Sequence, residues 1–199
     1  MKNKAIFLDR DGIITKLVYN TELGLIHTTL HPKQVEFVYG IFDFLKTAKT
    51  NRYLLIVISN QPNIGIKKIS KEQFLAIKEE INSDLKKNGI VLDAEYYCLH
   101  HPFADIKKYR KVCKCRKPDT LLYEKSIKKF NIDVKKSWAI GDGVFDIIAG
   151  NKIGLKTILV TNTAESAYLE LILKQLKENL PKATAKNLQQ AREIIFKEA

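Results

Sequence analysis

Short apolar runs alternate along this chain with stretches whose apolar residues recur every three or four positions. Lys4–Asp9, Tyr53–Ser59, Ala94–Cys98, Ser137–Asp142 and Leu155–Thr161 read as strands. The second of these, YLLIVIS, is almost continuously apolar, which predicts burial on both faces, as in a parallel sheet. Between the strands, Gly40–Lys49, Ser70–Asn88, Thr120–Phe130 and Val144–Asn151 carry helical patterns, and Ala164–Lys177 and Ala185–Phe196 extend them to the C-terminus. Ser70 and Gln73 form a capping-box signature, and Gly89 is a stop. Strands alternating with helices predict an α/β fold with a doubly wound parallel sheet, in a single domain over 1–199. Two stretches lack either period: Thr15–Val35, and a long loop at Leu99–Pro118. Long loops of that kind inside compact domains tend to carry function.

Composition narrows the classes. With 199 residues, 45% apolar and 28% charged, the chain is long enough to bury a core without disulfides. No run approaches the ~18 apolar residues of a membrane span. The start, Met-Lys-Asn-Lys, is charged too soon for a signal peptide, so a cytoplasmic protein without a membrane partner is expected. Lys plus Arg is 34 against 22 Asp plus Glu, a formal charge of +12, which points to an anionic partner.

In doubly wound folds, ligands bind beyond the carboxyl ends of the strands. The first strand ends on Asp9-Arg10-Asp11-Gly12 and the second on Ser59-Asn60-Gln61. The fourth ends on Gly141-Asp142, with Asp146 following, and Arg116-Lys117-Pro118 precedes a helix. Clustered carboxylates repel one another and need a cation; an all-oxygen donor set favours Mg²⁺. A hydroxyl and a lysine beside them can hold phosphoryl oxygens. Asp9 and Asp11 are two apart and share a face of a straight strand, so one can attack phosphorus while the other handles the leaving-group proton.

These residues, in this order, resemble the four motifs of the haloacid dehalogenase (HAD) superfamily of Asp-nucleophile phosphatases over about residues 4–160. The resemblance implies a HAD-like Rossmannoid core and a phosphoric monoester hydrolase. It implies Asp9 as nucleophile, Asp11 as general acid and then base, and Ser59 and Lys117 as stabilisers of the phosphoryl group. Mg²⁺ would be held by Asp9, Asp142 and the main-chain carbonyl of Asp11, with Asp146 behind them. Asn60, Gln61 and Arg116 are expected to contact substrate.

All three cysteines fall in or beside the long loop, as Cys98-x-His100 and Cys113-x-Cys115. Three thiolates and one imidazole make a closed, structural Zn²⁺ site. His100 is the expected fourth donor, although His101 lies beside it. A zinc loop within 98–116 that ends in Cys-Arg-Lys-Pro resembles, among HAD enzymes, the D-glycero-D-manno-heptose 1,7-bisphosphate phosphatases and the related histidinol-phosphate phosphatases. The His100–Cys113 interval is closer to the heptose group. That group lacks a large cap domain, in keeping with the length of this chain. It usually continues Thr-Asn-Gln-Ser-Gly-Ile where this chain reads Ser59-Asn60-Gln61-Pro62-Asn63-Ile64. A small phosphorylated sugar is therefore the expected substrate and a monomer the expected state. Seven of residues 107–117 are basic, which raises a nucleic-acid 3′-phosphatase as a rival. Tyr109 is the only aromatic among them, a poor platform for stacking bases. A receiver domain is disfavoured, because its acidic pair is adjacent and its phosphorylated Asp ends the third strand.

Overall fold

The computed structural model describes residues 2–161 and 166–197. Its centre is a six-stranded sheet, all parallel. The strands are β1 (Lys4–Leu8), β4 (Tyr53–Asn60), β5 (Ala94–Cys98), β6 (Trp138–Gly141), β7 (Lys156–Val160) and β8 (Ala183–Ala185). A two-stranded antiparallel hairpin, β2 (Val18–Asn20) and β3 (Leu25–His27), leaves the end of β1. Six α-helices connect the rest: α1 (Ile41–Thr50), α2 (Lys71–Lys87), α3 (Leu121–Phe130), α4 (Val144–Lys152), α5 (Ser166–Leu176) and α6 (Leu188–Lys197).

Period-two burial on β1 explains the layers. Ile6 and Leu8 point into one core with Phe44 and Leu45 of α1, Phe74, Ile77 and Ile81 of α2, and Leu188 and Ile195 of α6. Ala5 and Phe7 point into the other, with Leu122 and Tyr123 of α3 and Ala149 of α4. Each fully buried aliphatic or aromatic side chain contributes roughly 1.5–3 kcal/mol relative to exposure. On α1, buried Ile41, Phe44, Leu45 and Ala48 follow the i, i+3, i+4, i+7 stripe. α2 starts at the expected capping box: Ser70 Oγ accepts from Gln73 N–H, and Gln73 Oε1 accepts from Ser70 N–H.

Strand order is β5-β4-β1-β6-β7-β8. The chain runs outward from β1 through β4 to β5, then returns to the other side of β1 at β6. The crevice at that reversal lies between β1 and β6, and Asp9 N–H bonds Ile140 C=O across it at 3.0 Å.

Five strands and six helices lie where the hydrophobic pattern predicts them, within a few residues at their ends. The first residues of the expected Ala164–Lys177 helix, 164 and 165, lie outside the described residues. Two differences remain. The edge strand β8 is not among the expected elements; it precedes α6, overlaps the expected Ala185–Phe196 helix only at Ala185, and pairs with β7 through Ile158–Ala183 and Val160–Ala185. The irregular Thr15–Val35 stretch contains the β2–β3 hairpin. Among the described residues no helix is long and apolar enough to cross a membrane, and no separate cap domain stands over the sheet.

Candidate active site

The loop after β1 turns sharply, because Ile14 and Thr15 N–H groups both return to Arg10 C=O and Gly12 N–H bonds Thr15 C=O at 2.7 Å. Gly12 has φ +82°, a conformation that disfavours side chains. A Cβ there would fall 1.9 Å from Oδ2 of Asp142, so this glycine also makes room for that carboxylate. At the end of β6, a Cβ on Gly141 would sit 2.2 Å from Cβ of Asp146. Asp146 comes from the first turn of α4, where the helix N-terminus favours negative charge.

These approaches gather Asp9, Asp142 and Asp146, each offering an oxygen within 4.8 Å of the others. Lys117 reaches in from the loop before α3. Its Nζ donates to Asp9 Oδ1 at 2.9 Å, to Ile58 C=O at 2.7 Å, and to Asp146 Oδ1. Burial opposes the charge on Lys117, but the Asp146 and Asp9 carboxylates outweigh it and hold the ammonium above its ordinary range. Burial, with Asp9 and Asp146 nearby, pushes the Asp142 carboxyl well up. Asp146 is pushed up to about 6, chiefly by burial, against the pull of Lys117. One lysine therefore under-compensates three carboxylates, and the donor chemistry fits a divalent hard cation.

Asp11 stands apart from that trio. Arg10 grips its carboxylate through Nε and Nη2 at 3.0–3.1 Å, and Gln61 Nε2 donates to its Oδ2. Gln61 Nε2 also donates to Ser59 Oγ at 3.0 Å, which fills an acceptor position of the hydroxyl and leaves its O–H to be given to a ligand. The amide of Asn60 is spent on the main chain of Lys117: Oδ1 accepts from Lys117 N–H at 3.0 Å, and Nδ2 donates to its C=O at 3.1 Å. Asn60 still borders the cleft, whereas Gln61 is 1% exposed with its amide turned onto protein groups. The cleft of about 420 Å³ is lined by Asp9, Asn60, Arg116, Lys117, Asp142–Asp146 and Gln175. Phe145 and Gln175 were not singled out by the sequence; a helix residue some thirty positions beyond the last motif carries no local signal.

The cysteine loop closes beside this cleft. Cys98 ends β5, and its Sγ lies 3.6 Å from Sγ of Cys113 and 3.3 Å from that of Cys115. Cys113 and Cys115 sulfurs are 3.0 Å apart, and His100 Nδ1 lies 3.3 Å from Cys115 Sγ and 3.8 Å from Cys98 Sγ. A tetrahedral Zn–S bond of ~2.3 Å sets S···S edges of about 3.8 Å, so the four donors lie at nearly that spacing and could hold zinc. His101 is turned elsewhere: its Nδ1 accepts from Phe103 N–H at 3.2 Å. Arg110 ties the loop to itself through Ala104 and Asp105 carbonyls, and Ile106 N–H bonds Gly65 C=O beyond β4. Arg116 Nη1 donates to His100 C=O at 3.1 Å while bordering the cleft.

A carboxylate trio, a buried lysine and a hydroxyl at the switch point of a doubly wound sheet are the groups that metal-assisted phosphoryl transfer requires. Comparison with known proteins places the chain more closely. A family model described as HAD-hydrolase-like matches residues 114–191. A Haemophilus ducreyi protein named D-glycero-beta-D-manno-heptose-1,7-bisphosphate 7-phosphatase is 32% identical over 188 residues, 91% of this chain and 98% of that one. An Escherichia coli protein of the same name is 32% identical over 92% of this chain and 94% of its own. Among solved structures, a D,D-heptose 1,7-bisphosphate phosphatase from B. bronchiseptica, complexed with magnesium and phosphate, superposes with a TM-score of 0.78 at 22% identity. That match covers 98% of this chain and 99% of the other. The chain belongs to the same family as these curated relatives, within the HAD-like phosphatases, and is a phosphoric monoester hydrolase.

Proposed function

We propose that this enzyme removes the 7-phosphate of D-glycero-β-D-manno-heptose 1,7-bisphosphate, leaving the 1-phosphate. The observation that carries the reading is near-end-to-end similarity to relatives of that name, joined to a cysteine cluster beside the cleft. In this reading Asp9, whose Oδ1 edge is fixed by Lys117, forms a bond to phosphorus through its other oxygen as the sugar–oxygen bond to phosphorus breaks. Asp11 gives its proton to the departing sugar oxygen. Water then attacks the aspartyl-phosphate, Asp11 takes the water proton, and Asp9 is released with inorganic phosphate. Ser59 O–H and Lys117 stabilise the transferring group. Mg²⁺, when bound by Asp9, Asp142 and the carbonyl of Asp11 with Asp146 behind, supplies positive charge to the phosphoryl oxygens. Asp146 is also close enough to serve as a direct ligand. Cys98, His100, Cys113 and Cys115 would hold Zn²⁺, which would fix the loop that carries Arg116. Arg116, Phe145 and Gln175 line the side on which a sugar would sit. A monomer in the cytoplasm completes the proposal.

The test is parallel kcat/KM measurement on the heptose bisphosphate, histidinol phosphate and a 3′-phosphorylated oligonucleotide, with ³¹P NMR to identify the ester cleaved. The reading predicts preference for the heptose ester and loss of its 7-phosphate signal. Preference for histidinol phosphate, or oligonucleotide turnover that falls steeply with salt, would replace it.

A further inference from the structure

Arg10 is 2% exposed and Thr15 and Gln61 are equally enclosed, yet their polar atoms converge on one carboxylate. Arg10 Nη2 meets both oxygens of Asp11 at 3.0 Å and also donates to Gln61 Oε1 at 2.7 Å. Thr15 Oγ1 donates to Asp11 Oδ1 at 3.3 Å. The amide of Gln61 is thereby oriented: its oxygen faces the guanidinium, so its NH₂ faces Asp11 and Ser59. Asp11 has little room to rotate without breaking several bonds at once.

The arrangement is an expensive way to fill space. Arg10 Nη1 is buried with no hydrogen-bond partner, and an unsatisfied buried donor costs about 1–3 kcal/mol. Buried ion pairs are commonly matched or exceeded in stability by apolar residues of the same volume. A site serving the core alone would be better filled by methionine or leucine.

We propose that Arg10 and Gln61 are positioning residues for the acid–base step, holding the Asp11 carboxyl group where it meets the leaving oxygen and registering it against Ser59. This rests on the reading of Asp11 as general acid. Loss of the clamp lets Asp11 swing, and the step that suffers is proton delivery to a poor leaving group. An aryl leaving group such as p-nitrophenolate departs without that proton, whereas a sugar alkoxide does not.

The experiment compares kcat/KM on the heptose bisphosphate and on p-nitrophenyl phosphate for Asp11→Asn, Gln61→Met, Arg10→Met and Arg10→Lys. kcat/KM ends at phosphoryl transfer to Asp9, so the later duty of Asp11 toward water is not counted. General acid catalysis contributes about 10²–10⁴-fold, so Asp11→Asn should lose that much more on the sugar ester than on the aryl ester. Gln61→Met and Arg10→Met should each lose at least roughly tenfold more on the sugar ester, a fraction of the general-acid contribution, and Arg10→Lys should recover part of it. Should Arg10→Met fail to fold, Gln61→Met carries the test. Equal losses on both esters in Gln61→Met, with Asp11→Asn still selective, would overturn the positioning role and leave the general acid in place. Equal losses in Asp11→Asn itself would overturn the acid assignment and this inference with it.

Discussion

Replacing Lys117 by methionine keeps most of the side chain's bulk and deletes the ammonium that bonds the carboxylates of Asp9 and Asp146. At 2.9 Å and an effective dielectric of about 20, the Asp9 pair alone is worth about 6 kcal/mol before desolvation. Desolvating the ions takes back several kcal/mol, and breaking a buried pair by removing one partner typically costs about 3–5 kcal/mol. The loss should depend on pH in a defined sense. In the metal-free protein the carboxyls of Asp146, pushed up to about 6, and Asp142, pushed well up, stand above their unfolded value of ~3.9. Such groups bind more protons folded than unfolded, so their contribution to stability falls as pH rises above about 4, through about 6 for Asp146. Removing the lysine raises them further and extends the fall. Urea unfolding with Mg²⁺ withheld should therefore show Lys117→Met destabilised by about 3–5 kcal/mol at pH 8. The penalty should be clearly smaller at pH 5, and added Mg²⁺ should recover part of it at pH 8. A penalty below about 1 kcal/mol at pH 8, or one equal at both pH values, would show that the lysine serves packing and refute the charge argument.

Other expectations concern the metals and the backbone around the site. Gly12→Ala must displace the Asp142 carboxylate that its Cβ would strike; it should cost about 1 kcal/mol or more of stability from its positive φ yet about 10²-fold or more in kcat, read by urea melts beside phosphate release. Mg²⁺ binding should release protons near pH 6 and fewer at pH 8, because Asp146 is partly protonated at the lower value; calorimetry in buffers of different ionisation enthalpy checks this. Cys115→Ser should lose the zinc found by metal analysis and leave the loop 98–116 open to protease, with the α/β core still cooperative; full zinc retention would contradict the four-donor site. Asn60→Asp should lower kcat, because a carboxylate oxygen replaces the donor that meets Lys117 C=O.

Buried strands were the most legible part of this fold. Stretches such as KAIFL and YLLIVIS have apolar residues on both faces, and only a covered parallel sheet satisfies both. β8 was not legible, because Ala-Thr-Ala is too short and too small to show a period and takes its strand form from pairing with β7. The β2–β3 hairpin was hidden for another reason: Tyr19, Leu25 and Ile26 are exposed, so no core face imposed an alternation. At the site, residue types at strand ends marked Asp9, Asp142 and Lys117 because parallel topology brings such ends together whatever lies between them. The amides of Asn60 and Gln61 could not be read that way. Their partners, the main chain of Lys117 and the Arg10–Asp11 pair, are set by how loops distant in sequence meet. Arg10 drew no attention for the same reason, since an arginine between two aspartates gives no sign of which one it will hold.

Trapping the phosphorylated enzyme tests the central claim most directly. Borohydride reduces an acyl phosphate to an alcohol, converting the modified aspartate to homoserine. Quenching turnover of the heptose bisphosphate with borohydride and sequencing the N-terminal peptide by mass spectrometry should find homoserine at position 9, only when substrate and Mg²⁺ are both present. Homoserine at another carboxylate, or none while phosphate is being released, would contradict the account.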